Sequence, residues 1–382
     1  MSNRHVIHIL EATASGARKH VRYITRSLIN NDFRVDLILS TKRADPDFFE
    51  KDLDVYKRLG CRVYMVDMER DACMADRKAI KEVRKILTDE QPSIVHSHCG
   101  KAGFISRMAI KKMKEKPAIV HTPHSYYFQN FNGLMQSLSI SFERYLGGNI
   151  FCISDAEYEM VKLLDLSRNG NLYKGLNGLP INFKNKLMLR EQSREELKLS
   201  PNQIAIGVFA RLVKRKGHQW LLQSIATLTV KEKQKIKILL FGDGEEKASL
   251  IKLAEELNIS HIIEFKGYVP KAEQLLHGLD VCILPSLYEG LSYNLLETLA
   301  AGVPLIASDI PANRFNLDNC PIQYAAVDDK KMLADLIRRL IDAPEWREEI
   351  GEQSSEWVFK HFTLEEQVRQ LLICYRKVAN LN

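Results

Sequence analysis

No stretch of the 382-residue chain comes near the roughly 18 uninterrupted apolar residues that a membrane-spanning helix needs. The opening MSNRHVIHIL also lacks the apolar core and cleavage pattern of a secretory signal, so a cytoplasmic protein is expected. Cysteine is sparse: Cys61, Cys73, Cys99, Cys152, Cys282, Cys320 and Cys374 stand singly, without Cys-x-x-Cys or a metal-ligand spacing. That excludes a disulfide framework and a zinc ribbon and leaves reduced, mostly buried thiols. No repeat of about 20–50 residues is visible and nothing is low-complexity, which excludes solenoids and tails. The basic residues carry no interleaved aromatics and belong to no nucleic-acid-binding motif, so nucleic acid is not an expected partner.

What is present fits a globular protein of ordinary composition, 45% hydrophobic and 27% charged. The length suggests two domains at about 100–200 residues each. The formal charge of +7 is uneven: residues 1–150 hold 25 Lys and Arg against 17 Asp and Glu, a balance of +8, and the remainder holds 30 against 31, or −1. Part of the excess falls in ARKHVRYITR and RMAIKKMKEK, which read as solvated helix faces or as attraction to an anionic membrane surface.

Strand-like and helix-like segments alternate in two blocks. HVIHIL, RVDLILS, SIVHSH, AIVHTPH and NIFCIS form the first; AIGVFARL, KIKILLFGDG, IIEFKGYV, VCILPS and PLIAS form the second. Such alternation argues for two parallel α/β sheets covered by helices. The join is expected in YKGLNGLPINF, where Gly175, Gly178 and Pro180 punctuate the chain. This gives domains over 1–178 and 179–360, then a terminal helix over 361–382 that needs an apolar surface to cover.

Open parallel sheets bind ligands beyond the carboxyl ends of their strands. Four loops there stand out. Gly16 in ATASGARKH allows a close backbone approach before the first helix. FARLVKRKG places Arg211 and Lys216 five residues apart at a strand end, which suits a diphosphate or a solvated basic loop. FGDG, with Gly242, is a shortened glycine-rich turn and a weak dinucleotide signal. LYEGLSYNLLETLAAGVPLIAS carries Glu289 and Glu297 with Gly290 and Leu291 beside the first and Ser292 as the helix cap. On one continuous helix residues eight apart lie about 80° and 12 Å from each other, too far to share a proton. Two carboxylates so placed can each accept hydrogen bonds from vicinal hydroxyls, as on the ribose and the sugar of a sugar-nucleotide. His96, His98, His121 and His124 cluster at two strand ends, compatible with a metal, with core packing or with a sugar contact.

With EGLSYNLLETLAAGVPLIAS, ARLVKRKG, FGDG, GYV, VHSHCGKAG and HTPHSYYF together, the chain resembles a retaining GT-B glycosyltransferase, close to the family 4 enzymes that build bacterial capsule, exopolysaccharide and O-antigen chains. The resemblance implies two Rossmann-like doubly wound domains facing across a cleft, the second for the nucleotide-sugar and the first for the acceptor, with the terminal helix returning to the first. It assigns Arg211 and Lys216 to the diphosphate, Glu297 to the ribose, Glu289 to the transferred sugar, the backbone at Val269 to the base and His124 to the sugar. It implies no required metal, a UDP- or GDP-linked donor, a lipid-linked glycan acceptor and work at the cytoplasmic face of the inner membrane. Where the family often has Gly-Gly in the first loop, this chain has Ser15-Gly16. A sugar-nucleotide epimerase, a glycogen-type phosphorylase and a non-catalytic sugar-nucleotide-binding relative share the fold.

Overall fold

The computed structural model describes residues 4–69, 74–315 and 317–381, leaving Cys73 outside. The chain divides into two compact units, Met1–Asn177 with Leu364–Asn382, and Gly178–Thr363. Among the described residues no helix is long and apolar enough to cross a membrane.

The first unit is built on seven parallel strands: β1 (His5–Leu10), β2 (Arg34–Leu39), β3 (Val63–Met65), β4 (Ile94–His98), β5 (Ala118–Thr122), β6 (Asn149–Cys152) and β7 (Leu172–Lys174), in the order β3-β2-β1-β4-β5-β6-β7. Side chains alternate across the sheet with period two. Val6 and Leu10 enter one core with Ile94 and Val120, whereas Ile7 and Ile9 enter the other with Val95. By the same alternation His8, His96 and His98 share the face of the first core. That face is covered by the helix Ser15–Ile29, through Val21, Ile24 and Leu28, and by the terminal helix Leu364–Ala379, through Leu371, Cys374 and Tyr375.

The second unit carries β8 (Ile204–Phe209), β9 (Ile236–Phe241), β10 (Ile263–Gly267), β11 (Val281–Leu284), β12 (Leu305–Ser308) and β13 (Gln323–Ala325), all parallel, in the order β10-β9-β8-β11-β12-β13. In each sheet the strand order reverses beside the unit's first strand, at β1/β4 and at β8/β11. Such a reversal opens a crevice at the carboxyl ends, where ligands of doubly wound sheets bind.

Ten strands coincide with the apolar segments of the sequence. The other three, β3, β7 and β13, are three-residue edge strands with partly exposed side chains. An edge strand that short buries too little to imprint an apolar run. The basic segments also divide differently from a plain solvated face. Arg18 is buried and paired with Asp45 (3.1 Å), Asp47 (2.6 Å) and the fully buried Asp52. His20 is buried as well, so much of ARKHVRYITR points inward.

Candidate functional site

In the second unit the loops that follow β8 and β11 meet at the sheet's reversal point. After β8 the chain runs through Ala210 and Arg211 into a tight turn, Lys214–Lys216, that ends on Gly217 with φ +68°. A Cβ on Gly217 would stand 1.9 Å from the Pro285 carbonyl oxygen, so only glycine lets this turn press on the β11 loop. The Leu287 N–H donates to the Arg215 carbonyl at 2.8 Å and clamps the same two loops.

This clamp brings Lys216 to Glu289. The Lys216 ammonium donates to Glu289 Oε1, Ser286 Oγ donates to the same oxygen at 2.8 Å, and Arg215 Nη1 lies 3.6 Å from Oε2. Both partners are largely hidden, with side chains 11% and 8% exposed. Burial opposes the charge on Glu289, yet Lys216 and Arg215 outweigh it and hold the carboxyl below its usual range. The Lys216 ammonium is pulled below its usual value, because burial and repulsion from Arg215 and Arg211 outweigh Glu289. Burial is the largest influence on both groups, and their mutual attraction works against it.

The helix Tyr293–Ala300 starts where the sequence reading placed it, with Ser292 at the cap position in extended backbone. The Ser292 hydroxyl caps none of the helix N–H groups, however. Glu289 precedes the helix in the β11 loop, so the 80° separation expected on one continuous helix does not apply; only Glu297 is helical, and it is buried. Asn294 donates its side-chain N–H to the Phe209 carbonyl and ties the helix start to the end of β8. Gly290 and Leu291 are buried beside Glu289. Val269 follows β10, its carbonyl accepting from the Ala272 N–H at 3.3 Å. Gly242, at φ +133°, has a packing reason of its own: a Cβ there would stand 2.1 Å from the Ala210 carbonyl oxygen.

In the first unit Gly16 is not in a loop before the helix. The helix begins at Ser15, which itself takes φ +53° and whose N–H donates to Asp45 Oδ2 at 2.9 Å, so Gly16 sits exposed in the first turn. The loop after β1 instead offers Glu11, buried and held by Arg43 Nη1 at 3.1 and 3.2 Å.

The four histidines of the sequence reading do gather, and His8 and His20 join them. His8 Nδ1 lies 3.0 Å from His98 Nε2, and His98 Nδ1 lies 3.2 Å from His124 Nε2, a chain of three imidazoles from β1 through β4 to the loop after β5. His96 bonds Tyr375 Oη (2.7 Å) and Thr122 Oγ1 (2.8 Å), His121 bonds Ser97, and His20 Nδ1 lies 2.9 Å from Asn177 Oδ1. Burial drives all six below the usual imidazole value, His8 to about 3 and His20 to about 4, so the cluster is neutral at pH 7. His124 occupies φ +61°, which turns the chain sharply after β5. Neutral imidazoles are also metal ligands, and His20, His98 and His124 offer nitrogens within 4.8 Å of one another. The hydrogen-bond chain accounts for the closeness of His98 and His124 without an ion.

Sequence reasoning missed Arg215, His8 and His20. Arg215 stands between the two singled-out cations and was legible; the histidines lie on another strand and a helix, and only the fold brings them in.

Two family descriptions match the chain, "Glycosyltransferase Family 4" over residues 14–169 and "Glycosyl transferases group 1" over residues 190–357. The O-antigen biosynthesis glycosyltransferase WclY of Escherichia coli is 30% identical over 211 residues, 51% of this chain and 55% of that one. The UDP-Gal:alpha-D-GlcNAc-diphosphoundecaprenol alpha-1,3-galactosyltransferase of Escherichia coli is 24% identical over 261 residues, 64% of this chain and 65% of that one. The chain thus spans between half and two thirds of the length of these two relatives. Among solved structures, Anabaena Alr3699/HepE in complex with UDP-glucose is similar at a TM-score of 0.80 with 16% identity, covering 97% of this chain and 99% of that one, a likeness of fold. With two parallel α/β units, each matched by its own description, the chain belongs to the group 1, family 4 glycosyltransferases of the GT-B fold.

Proposed function

We propose that the chain is a retaining glycosyltransferase of bacterial surface polysaccharide synthesis, moving a sugar from a UDP- or GDP-linked donor to a hydroxyl of a lipid-linked or growing glycan. The observation that carries this reading is the convergence of Lys216 and Arg215 on Glu289 in a largely buried pocket at the sheet's reversal point, with Arg211 near enough to act on the Lys216 ammonium. A diphosphate is the anion that suits this cluster of cations. Lys216 and Arg211 hold it, Arg215 joins them, and Glu289 is left to accept hydroxyl hydrogen bonds from the sugar. Glu297 takes the ribose, the backbone at Val269 the base, and the Gly290–Leu291–Ser292 loop runs along the donor. Gly242 keeps the floor of this loop cluster thin, and Gly16 belongs to the acceptor side. His124 acts on the sugar rather than on the nucleotide.

In the reaction the bond from the anomeric carbon to the phosphate oxygen breaks and a bond to the acceptor oxygen forms on the same face. The acceptor proton passes to the leaving phosphate oxygen. Charge grows on that phosphate as the bond breaks, and cations already in place stabilise it most in the transition state. This scheme asks for no metal or other cofactor. The +8 balance of residues 1–150 fits an acceptor held at the anionic inner-membrane surface.

A panel of UDP- and GDP-sugars with a cell-derived lipid extract tests the reading. Release of nucleoside diphosphate dependent on extract, with the product's anomeric configuration equal to the donor's by NMR, is expected. An inverted product excludes the retaining scheme, and no release with any donor favours a non-catalytic binding protein.

A further inference from the structure

The hydrogen-bonded chain through His98 and His124 leaves one nitrogen beside it unexplained. His20, fully buried on the helix Ser15–Ile29, bonds through Nδ1 to Asn177 Oδ1, and Gln367 Nε2 donates to that same oxygen at 3.1 Å. A carboxamide oxygen can only accept, so Nδ1 carries the one proton of the neutral ring and Nε2 presents a bare lone pair. That Nε2 is buried and has no hydrogen-bond partner. Buried polar atoms are ordinarily paired, so a lone pair held in place and left without a donor points to a ligand.

The neighbours of His20 indicate which ligand. Its ring stands edge-on to that of His124 with centroids 4.7 Å apart, and 5.4 Å from that of His98. Together the three offer nitrogens within 4.8 Å of one another. His98 Nδ1 and His124 Nε2 are already 3.2 Å apart. Nitrogens that share a tetrahedral ion at about 2.0–2.1 Å stand roughly 3.3 Å from each other, so this pair needs little movement to become two ligands. The group holds neither sulfur nor carboxylate. Imidazole nitrogens alone favour zinc and its neighbours over magnesium or calcium, which take oxygen. The contact from His20 Nδ1 to Asn177 is also the kind of outer hydrogen bond that orients a ligating histidine. On His98 the same part falls to Nε2, which faces His8 Nδ1 at 3.0 Å.

We propose that His20, His98 and His124 bind a divalent transition-metal ion, zinc first, with water as the fourth ligand. His20 and His98 are buried and His124 is half-buried, so the ion and its water reach the site from the side of His124. The ion is no cofactor of the transfer. Because His124 acts on the sugar, an ion held there takes it from that task, and transfer stops while the ion is bound. This inhibition rests on the reading of His124 as a sugar contact; the binding of the ion does not. Packing of the imidazoles against one another is the competing account, and it leaves the His20 Nε2 lone pair without a role.

The test is calorimetry of the metal-free full chain with zinc chloride, without any donor, beside the visible spectrum of the cobalt(II)-loaded chain. One ion per chain and the intense absorption of tetrahedral cobalt are expected, with no binding of magnesium. H20Q and H124Q should each bind zinc at least about a hundredfold more weakly, and N177A about tenfold more weakly through the lost orientation of His20. H261Q, at an exposed histidine of the second unit, should bind as the parent does. A melt of each variant without metal accompanies the titration, and H124Q, at the half-buried position, carries the result if H20Q does not fold. Parental affinity in H124Q or in folded H20Q, loss of binding in H261Q, or the weak absorption of octahedral cobalt overturns the proposal. In the donor panel, zinc at the concentration that fills the site should abolish transfer and a chelator should restore it; full transfer by the zinc-loaded chain overturns the inhibition. Zinc bound by the three histidines with no transfer from any donor keeps the site and removes the glycosyltransferase, whereas transfer by a chain that binds no zinc does the reverse.

Discussion

The informative residue is Lys216. A lysine held below its usual value by burial, and repelled by two arginines, gains stability from any anion that enters. Lys216→Ala should lower turnover about 30-fold or more, a loss of about 2–4 kcal/mol in transition-state stabilisation. Stability should fall by only about 1–2 kcal/mol, because Glu289 keeps Arg215 and Ser286 and is not left as an unpaired buried charge. Steady-state kinetics beside a thermal melt measure both; unchanged turnover would make Lys216 a structural cation only. His124→Ala is expected to lose transfer while binding free nucleoside diphosphate as the parent does, and calorimetry reads that split. Lys216 and Glu289 were both visible in the sequence, but their pairing was not. They are 73 residues apart, and the family resemblance gives each a different part of the donor.

At the scale of elements, the β8 and β11 loops form one clamp whose fixed point is Gly217. Alanine there would need a left-handed backbone and would push a methyl into the Pro285 carbonyl. Gly217→Ala should therefore cost about 1–3 kcal/mol and, unlike Lys216→Ala, should lower the melting temperature and donor affinity together. Wild-type affinity in that variant would mean that the clamp does not position Lys216. The central strands were legible because short, mostly apolar segments such as IAIGVF and VCIL bury both faces of a parallel sheet. The start of the Tyr293–Ala300 helix was legible from its serine. Gly16 was misplaced because Ser15, not glycine, takes the left-handed turn, a substitution that asparagine, aspartate and, as here, serine can make when a carboxylate holds the backbone N–H. The role of the helix Leu364–Ala379 in ordering His96 through Tyr375 depends on contacts 279 residues apart, which periodicity does not report.

For the whole molecule, the buried histidines tie stability to pH. His8 at about 3, and His20 and His218 at about 4, stay neutral where an unfolded chain's histidines, near 6.5, already take protons. The folded value is depressed, so this stability is complete above pH 6.5 and is lost as pH falls toward 4, by about 1.4 kcal/mol per unit for each histidine. Glu157, pushed up to about 7 by burial, acts in the opposite sense between 4.5 and 7 and offsets one of them. The melting temperature should be flat from pH 8 to 7 and fall steeply from 6.5 to 5. A melting temperature unchanged down to pH 5 would show that the cluster accommodates protons. The central claim, however, is that the second unit grips a nucleotide-sugar with one carboxylate for each end, and calorimetry tests it most directly. Glu297→Ala should weaken both the sugar-nucleotide and the bare nucleoside diphosphate, whereas Glu289→Ala should weaken only the former, each loss being about 1.5–3 kcal/mol or 10–150-fold in affinity. Equal weakening of the bare nucleoside diphosphate by both substitutions, or by neither, contradicts the assignment.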